Sequence, residues 1–211
     1  MSVSENTQVR QTATIINGQL NSPTDLSNQI NIHENNITIS PLKNSTIILY
    51  LINENSIKQN ITVNFLEQHA EVNIFGLYRG HETQLLEITT KINHNVPHCT
   101  SRQLWKGVLT DSAKANFEGH INVAPHAQKT IAHLSNKNLL LSSTSEVFTR
   151  PFLEINANDV QCTHGATVGC LDNDAIFYLR SRGLSEQAAR ELLIEAFANE
   201  ILDKCERTYE N

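Results

Sequence analysis

Charge of either sign is scarce in this chain: lysine and arginine number 16, aspartate and glutamate 22, and charged residues make up 18% of the 211 positions. A net charge of −6 leaves no polybasic surface for nucleic acid or an anionic bilayer, because both are bound mainly through clustered lysine and arginine. Long apolar runs are missing too. The longest, Thr46 to Ile52, ends at Asn53 and Glu54, far short of the ~20 residues that span a bilayer. Neither GxxxxGK followed by Ser or Thr nor GxGxxG occurs, so any ATP-driven step must come from another subunit. No GxSxG elbow, CxxC or HExxH is present either, which removes the common signatures of hydrolases and zinc sites. The four cysteines, Cys99, Cys162, Cys170 and Cys205, are widely spaced with no signal peptide before them. They are expected to be free thiols of a cytoplasmic protein.

What the chain has instead is β-branched residues in short segments. Between about Thr12 and Cys162, runs such as Thr46–Ile52, Ile61–Leu66, Glu71–Tyr78 and Leu85–Ile92 alternate apolar and polar residues, which places alternate side chains on opposite faces of strands. No helical stretch separates them, and this predicts an all-β architecture: a sandwich, a barrel or a parallel β-helix. Asparagine is abundant at segment ends and many turns lack AsnGly or AspGly, so the connections need not be hairpins, which favours the solenoid.

The pattern changes after Gly169. Asp172 is suited to cap a short helix through Arg182, and Gly183 to end it. Ser185 opens a longer helix in which Ala189, Leu192, Leu193, Ala196, Phe197 and Ile201 form one apolar stripe, with Glu186, Arg190, Asp203 and Arg207 largely off it. The stripe fits either docking on the chain's own β layer or a partner. The division expected is a β domain over 1–170 and a helical domain over 171–211.

Between Asp159 and Gly183 lies the segment richest in chemistry. In an extended strand Cys162 and His164 project to one face with Thr163 on the other, and a thiol beside an imidazole can bind a metal or exchange protons. Structural zinc needs four ligands. The obvious third, Cys170, lies beyond Gly165 and Gly169, in a stretch whose path the sequence leaves open. By type alone a free cysteine is more often packing than ligand. His120, His126 and His133 have a spacing with which neighbouring solenoid coils could align two of them, and His94, His98 and Cys99 surround Pro97. Neither group carries an assigned function.

Several runs resemble one family in order and spacing: Trp105–Val108 (WKGV), Phe117–Gly119 (FEG), Ala127–Thr130 (AQKT), Leu139–Ser142 (LLLS), Arg150–Ile155 (RPFLEI), Asp159–Thr167 (DVQCTHGAT) and Phe177–Gly183 (FYLRSRG). Together they look like the core of the SufB/SufD family, over roughly Leu104 to Glu206. The His164-Gly165-Ala166-Thr167 form resembles the SufD branch.

The resemblance implies a mainly β protein: a right-handed parallel β-helix followed by a small C-terminal helical domain. It also implies a non-catalytic subunit of the SufBCD iron–sulfur cluster assembly complex. Such a subunit pairs with a SufB-like paralogue through the β-helix and holds a SufC-like ABC ATPase through the C-terminal helices. His164 then matches a histidine implicated at the SufB interface as ligand or relay for iron or nascent cluster, and Cys162 matches a neighbouring cysteine. No tightly bound cofactor is implied, only transient iron or an Fe–S cluster. SufD-like chains are commonly near twice this length, so a shortened N-terminal half is expected. Two rivals remain. One is a β-helical carbohydrate-active enzyme with an extended groove, against which stand 6% aromatic residues. The other is a metal-binding homodimer acting alone through Cys162 and His164.

Overall fold

A computed structural model describes residues 9–16, 19–21, 29–55 and 57–209. The strands are β1 (Val9–Ile16), β2 (Gln19–Asn21), β3 (Ile30–His33), β4 (Asn36–Ile39), β5 (Ser45–Asn53), β6 (Ile57–Phe65), β7 (Glu71–Gly80), β8 (Leu85–His94), β9 (Thr100–Leu109), β10 (Lys114–Val123), β11 (Ile131–Leu140), β12 (Glu146–Ile155) and β13 (Gln161–Gly169). Helices α1 (Asn173–Ser181) and α2 (Glu186–Tyr209) follow.

From β4 on, successive strands alternate between two sheets, so each coil contributes one strand to each. One sheet runs β13-β11-β9-β7-β5-β1-β2, the other β12-β10-β8-β6-β4-β3. Thr46, Glu71, Thr100, Ile131 and Gln161 lie in register down the first sheet, in parallel pairings. Only β1–β2 and β3–β4 pair antiparallel among the described residues. The result is a parallel β-solenoid of about four turns, as the period-two segments and the non-hairpin turns suggested.

Period two also explains the core. In β10, Ala115, Phe117, Gly119, Ile121 and Val123 are buried, while the residues between them are partly exposed. Stacking such strands brings Leu49, Leu51, Phe65, Ile74, Trp105, Phe117 and Leu134 into one internal cluster. The asparagines at segment ends have an outer role: Asn93 donates to Asn64 at 2.8 Å and Asn122 to Asn93 at 2.9 Å, a ladder that ties adjacent coils. One set of polar groups inside is paired as well. Asn136 donates to the Tyr78 hydroxyl at 3.1 Å, Tyr78 donates to Asn138, and Asn138 donates to Asn136 at 2.6 Å. Burial raises the Tyr78 phenol well above its usual range.

His94 is one of the interior polar groups left partly unpaired, with Asn53, Thr90 and Gln103. It is fully buried, stacks on Phe65 at 4.4 Å and shares a 2.9 Å hydrogen bond with Ser101 through Nε2, yet its Nδ1 has no partner. Burial lowers its pKa to about 4, so the folded state holds the ring neutral while the unfolded chain protonates it near 6.5. Stability from this group is complete above the unfolded value and is lost as pH falls from about 6.5 to about 4, by about 3 kcal/mol. Urea midpoints at pH 7 and pH 4.5 for the wild type and His94→Gln are expected to differ in slope by that loss. Parallel pH profiles in the two proteins would refute it.

Each coil turns a corner through a residue in the left-handed region. His69, His98 and Lys129 have φ of 63°, 62° and 60°, and Glu82 and Asp111 have φ of 54° and 52°. His69 and His98 stack at 4.9 Å, so the histidine of the segment around Pro97 belongs to a repeated corner. With Cys99 and His94 buried and His98 exposed, the three do not form a loop cluster.

The helices form as their caps suggested. The Asp172 side chain accepts from the Asp174 N–H at 2.9 Å, Gly183 stands at φ 98°, and Ser185 Oγ accepts from the Ala188 N–H at 3.1 Å. The apolar stripe is rotated from its expected position. Between residues 186 and 203 of α2, Ala189, Ala198 and Ile201 are buried, whereas Leu192 and Ala196 are exposed. The buried side packs against Ile48, Tyr50 and Leu77 on the outer face of the first sheet, and against Leu139, Leu171 and Ile176. Of the two readings of the stripe, it docks on the chain's own β layer. Among the described residues no helix is long and apolar enough to cross a membrane.

Candidate functional site

Among the described residues β13 is the last strand of its sheet and no strand of the second sheet follows β12, because the chain turns into α1 after Gly169. Two free strand edges therefore lie at this end of the solenoid, and exposed edges are templates for pairing with another chain. Register settles the faces. Cys162 lies beside Ala132 and His164 beside Leu134, both buried inward positions of β11. Cys162 and His164 thus share the inner face of the terminal strand, as their spacing predicted.

Their environments differ. Cys162 is partly buried against the core cluster, and burial raises its thiol pKa, opposed in part by a hydrogen bond with the Ala132 backbone. It is a protonated packing group more than a ready ligand, since thiolate is the form that binds metal. His164 is exposed, with no coil over it. Gly165 is next to it, and a Cβ there would meet nothing within 4 Å, so this chain's own packing does not require the glycine. The neighbouring His133 points the other way and shares a 2.6 Å hydrogen bond with Thr163.

Cys170 does not join the pair. Eight residues of extended strand place it roughly 25 Å from Cys162, in a cleft of about 470 Å³ that Leu141, Ser143, Asn173 and Arg190 also line. The spaced histidines are likewise apart. His120 lies in the second sheet, stacked on Phe152 at 4.6 Å; His126 is exposed in a turn; and His133 is in the first sheet. Among the described residues no three His, Cys, Asp or Glu side chains converge on a metal-sized site. With one exposed imidazole and one half-buried thiol, the open end offers an incomplete ligand set.

A second exposed feature was not anticipated from the sequence. Phe177 and Tyr178 on α1 are 74% and 57% exposed, with Leu192 of α2 also open, and Arg182 lies over the Tyr178 ring at 5.2 Å. The visible signal was Phe177-Tyr178, two adjacent aromatics in a nine-residue helix, where both cannot face one core.

Fold and site together define a parallel β-solenoid with an unclosed end and a docked helical tail. The chain belongs to the family described as "SUF system FeS cluster assembly, SufBD core domain", whose model matches residues 7–197. That match begins well before Leu104, where the recognisable motifs start. The chain is 40% identical over 154 residues to the iron-sulfur cluster assembly protein SufD of Escherichia coli, covering 73% of this chain and 36% of that protein. It is 46% identical over 125 residues to an iron-sulfur cluster assembly SufBD family protein of Synechocystis, 59% of this chain and 27% of that one. It is 38% identical over 122 residues to the chloroplastic protein ABCI7 of Arabidopsis thaliana, 57% of this chain and 26% of that protein. The matched stretches thus span about a quarter to a third of these relatives' own lengths.

Proposed function

We propose that this chain is a SufD-like, non-catalytic subunit of iron–sulfur cluster assembly. Its unclosed solenoid end pairs with a SufB-like paralogue, and its helical tail holds a SufC-like ABC ATPase. The observation that carries the reading is the terminal strand β13, which presents an unpaired edge and the exposed His164 together. An imidazole there is half of a site: it can ligate ferrous iron or relay a proton, and the remaining ligands must come from whatever pairs with the edge. Iron, or a nascent cluster, is then cargo at the junction. Cys162 takes a secondary part, supporting His164 from the core side. The absence of a phosphate-binding motif fits a subunit that relies on an ATPase partner. The helices expose Phe177, Tyr178 and Leu192 and also carry the Arg180–Glu186 pair and Arg182 over the Tyr178 ring, and exposed aromatics with arginine are residue types enriched at protein interfaces.

Anaerobic copurification tests the whole reading. Tagged chain expressed with a SufB-like and a SufC-like protein is expected to retain both and to carry iron and sulfide. Recovery of the chain alone, or as a homodimer with no affinity for either, would overturn it.

A further inference from the structure

A cleft opens where β13 passes into the helices, at the far end of that strand from Cys162. It holds about 470 Å³, within the range of small-molecule sites. Leu141, Val168 and Leu171 give it apolar walls, while Ser143, Asn173 and Arg190 bring polar groups to it. The room is built into the backbone: Gly169 lines the cleft, and a Cβ there would meet nothing within 4 Å.

Arg190 is the unusual member of this lining. Arg79, Arg102, Arg150 and Arg180 each pair with a glutamate, and Arg182 lies over the Tyr178 ring. Arg190 is half-buried, yet among the described residues its guanidinium has no hydrogen bond or ion pair. The acids beside the lining residues have other roles. Asp172 caps α1 by accepting from the Asp174 N–H at 2.9 Å, Glu191 accepts from Gln187 at 2.9 Å, and Glu186, one turn before Arg190, approaches Arg180 at 3.4 Å. Drawing a cation partly out of water without a partner is costly. A guanidinium is a planar fork of donors that matches a carboxylate, and a single cation between apolar walls suits one carboxylate carried on an apolar body.

We propose that this cleft is a binding site for a small organic carboxylate with an apolar body. Arg190 holds the carboxylate, Asn173 and Ser143 donate to its oxygens, and Leu141, Val168 and Leu171 pack on the rest. Neither a strand edge nor Phe177 or Tyr178 takes part, so the site is independent of the pairing and docking reading above. Cys170, exposed on the same lining, reports on its occupancy.

The test is alkylation of Cys170 in the full chain, resolved by peptide mass spectrometry, with iodoacetate and with iodoacetamide. Both react by the same displacement, in which the thiolate sulfur bonds to carbon and iodide leaves, and only the first carries a carboxylate. The ratio of the iodoacetate rate to the iodoacetamide rate at Cys170 is expected to fall about tenfold in Arg190→Gln, through loss of one charge-assisted hydrogen bond, with the iodoacetamide rate unchanged. Arg190→Lys keeps the charge and loses the fork, and its ratio should lie between the two. Hexanoate is expected to protect Cys170 from both reagents in the wild type and not in Arg190→Gln, whereas hexanamide and inorganic phosphate protect in neither. Should Arg190→Gln fail to fold, Arg190→Lys decides. An unchanged ratio in the folded variants, no protection by hexanoate, or equal protection by hexanamide overturns the proposal. Protection that needs a bound SufB-like or SufC-like partner, with none from hexanoate, likewise overturns it and assigns the carboxylate to a partner's side chain.

Discussion

Under the proposed function, replacing His164 by alanine is expected to leave a folded chain that still copurifies with SufB-like and SufC-like proteins and does not restore iron–sulfur enzyme activity in a cell lacking SufD. His164 is exposed on a terminal strand, and its side chain makes no hydrogen bond or ion pair among the described residues. Truncating it opens no cavity and orphans no neighbour, so the stability change should stay within about 0.5 kcal/mol, as for other surface positions. A core histidine would behave differently, since losing a buried hydrogen-bonding group costs about 1–3 kcal/mol. What alanine removes is the exposed imidazole on the inner face of the terminal strand. Melting temperature, retention of SufB-like and SufC-like partners and complementation are therefore three separate readouts. Full complementation by His164→Ala would end the functional claim, and loss of the fold would make the residue structural. Cys162→Ala is expected to cost stability first, because its thiol packs on the core.

The largest effect on stability is expected from a single methyl group at Gly76. This glycine faces inward on β7 and is the register partner of Trp105 on β9. A Cβ at Gly76 would fall on the Cε3 and Cζ3 atoms of that ring. Trp105 cannot swing aside: it is 1% exposed, its Nε1 donates to Gln103 at 3.2 Å, and Phe117 lies against it at 5.4 Å. Overpacking of this kind costs about 3 kcal/mol or more, which for a chain of this size lowers the melting temperature by roughly 10 °C. Gly165→Ala is the control, because a Cβ there meets open space and should change stability by less than about 0.5 kcal/mol. Equal melting of Gly76→Ala and the wild type would show that the interior yields far more than its packing implies.

Much of the site was legible before any coordinates. The pairing of Cys162 with His164 on one face follows from their spacing alone, and register bears it out. Their unlike exposure does not follow, since it depends on how far the core extends beneath each residue. Cys170 was open as a third ligand only while the path after Gly165 was unknown; once that path is a straight strand, distance excludes it. The stripe on α2 shows a finer limit. Periodicity located an apolar helix correctly but included Leu192 and Ala196, which face away, and missed Ala198, which is buried. α2 packs on the sheet near Ala198 and Ile201 and on α1 near Ala189, so its buried side is set by two different neighbours and not by one ideal stripe. Lys106, buried under α2 where it meets Glu200 and the Phe197 carbonyl, left no signal of its own, because a lysine reads as surface until its partners, distant in sequence, are brought over it.

Local periodicity by itself determined that this protein is a run of short strands followed by two capped helices, because the period of two, the period of 3.6 and the caps are properties of neighbouring residues. Tertiary structure alone decided which strand is last. Leu134 and His164 occupy the same inward position on adjacent strands, yet Leu134 is 2% exposed and His164 is open. Exposure depends on whether another coil lies above a side chain, and that is settled only by where the stack ends.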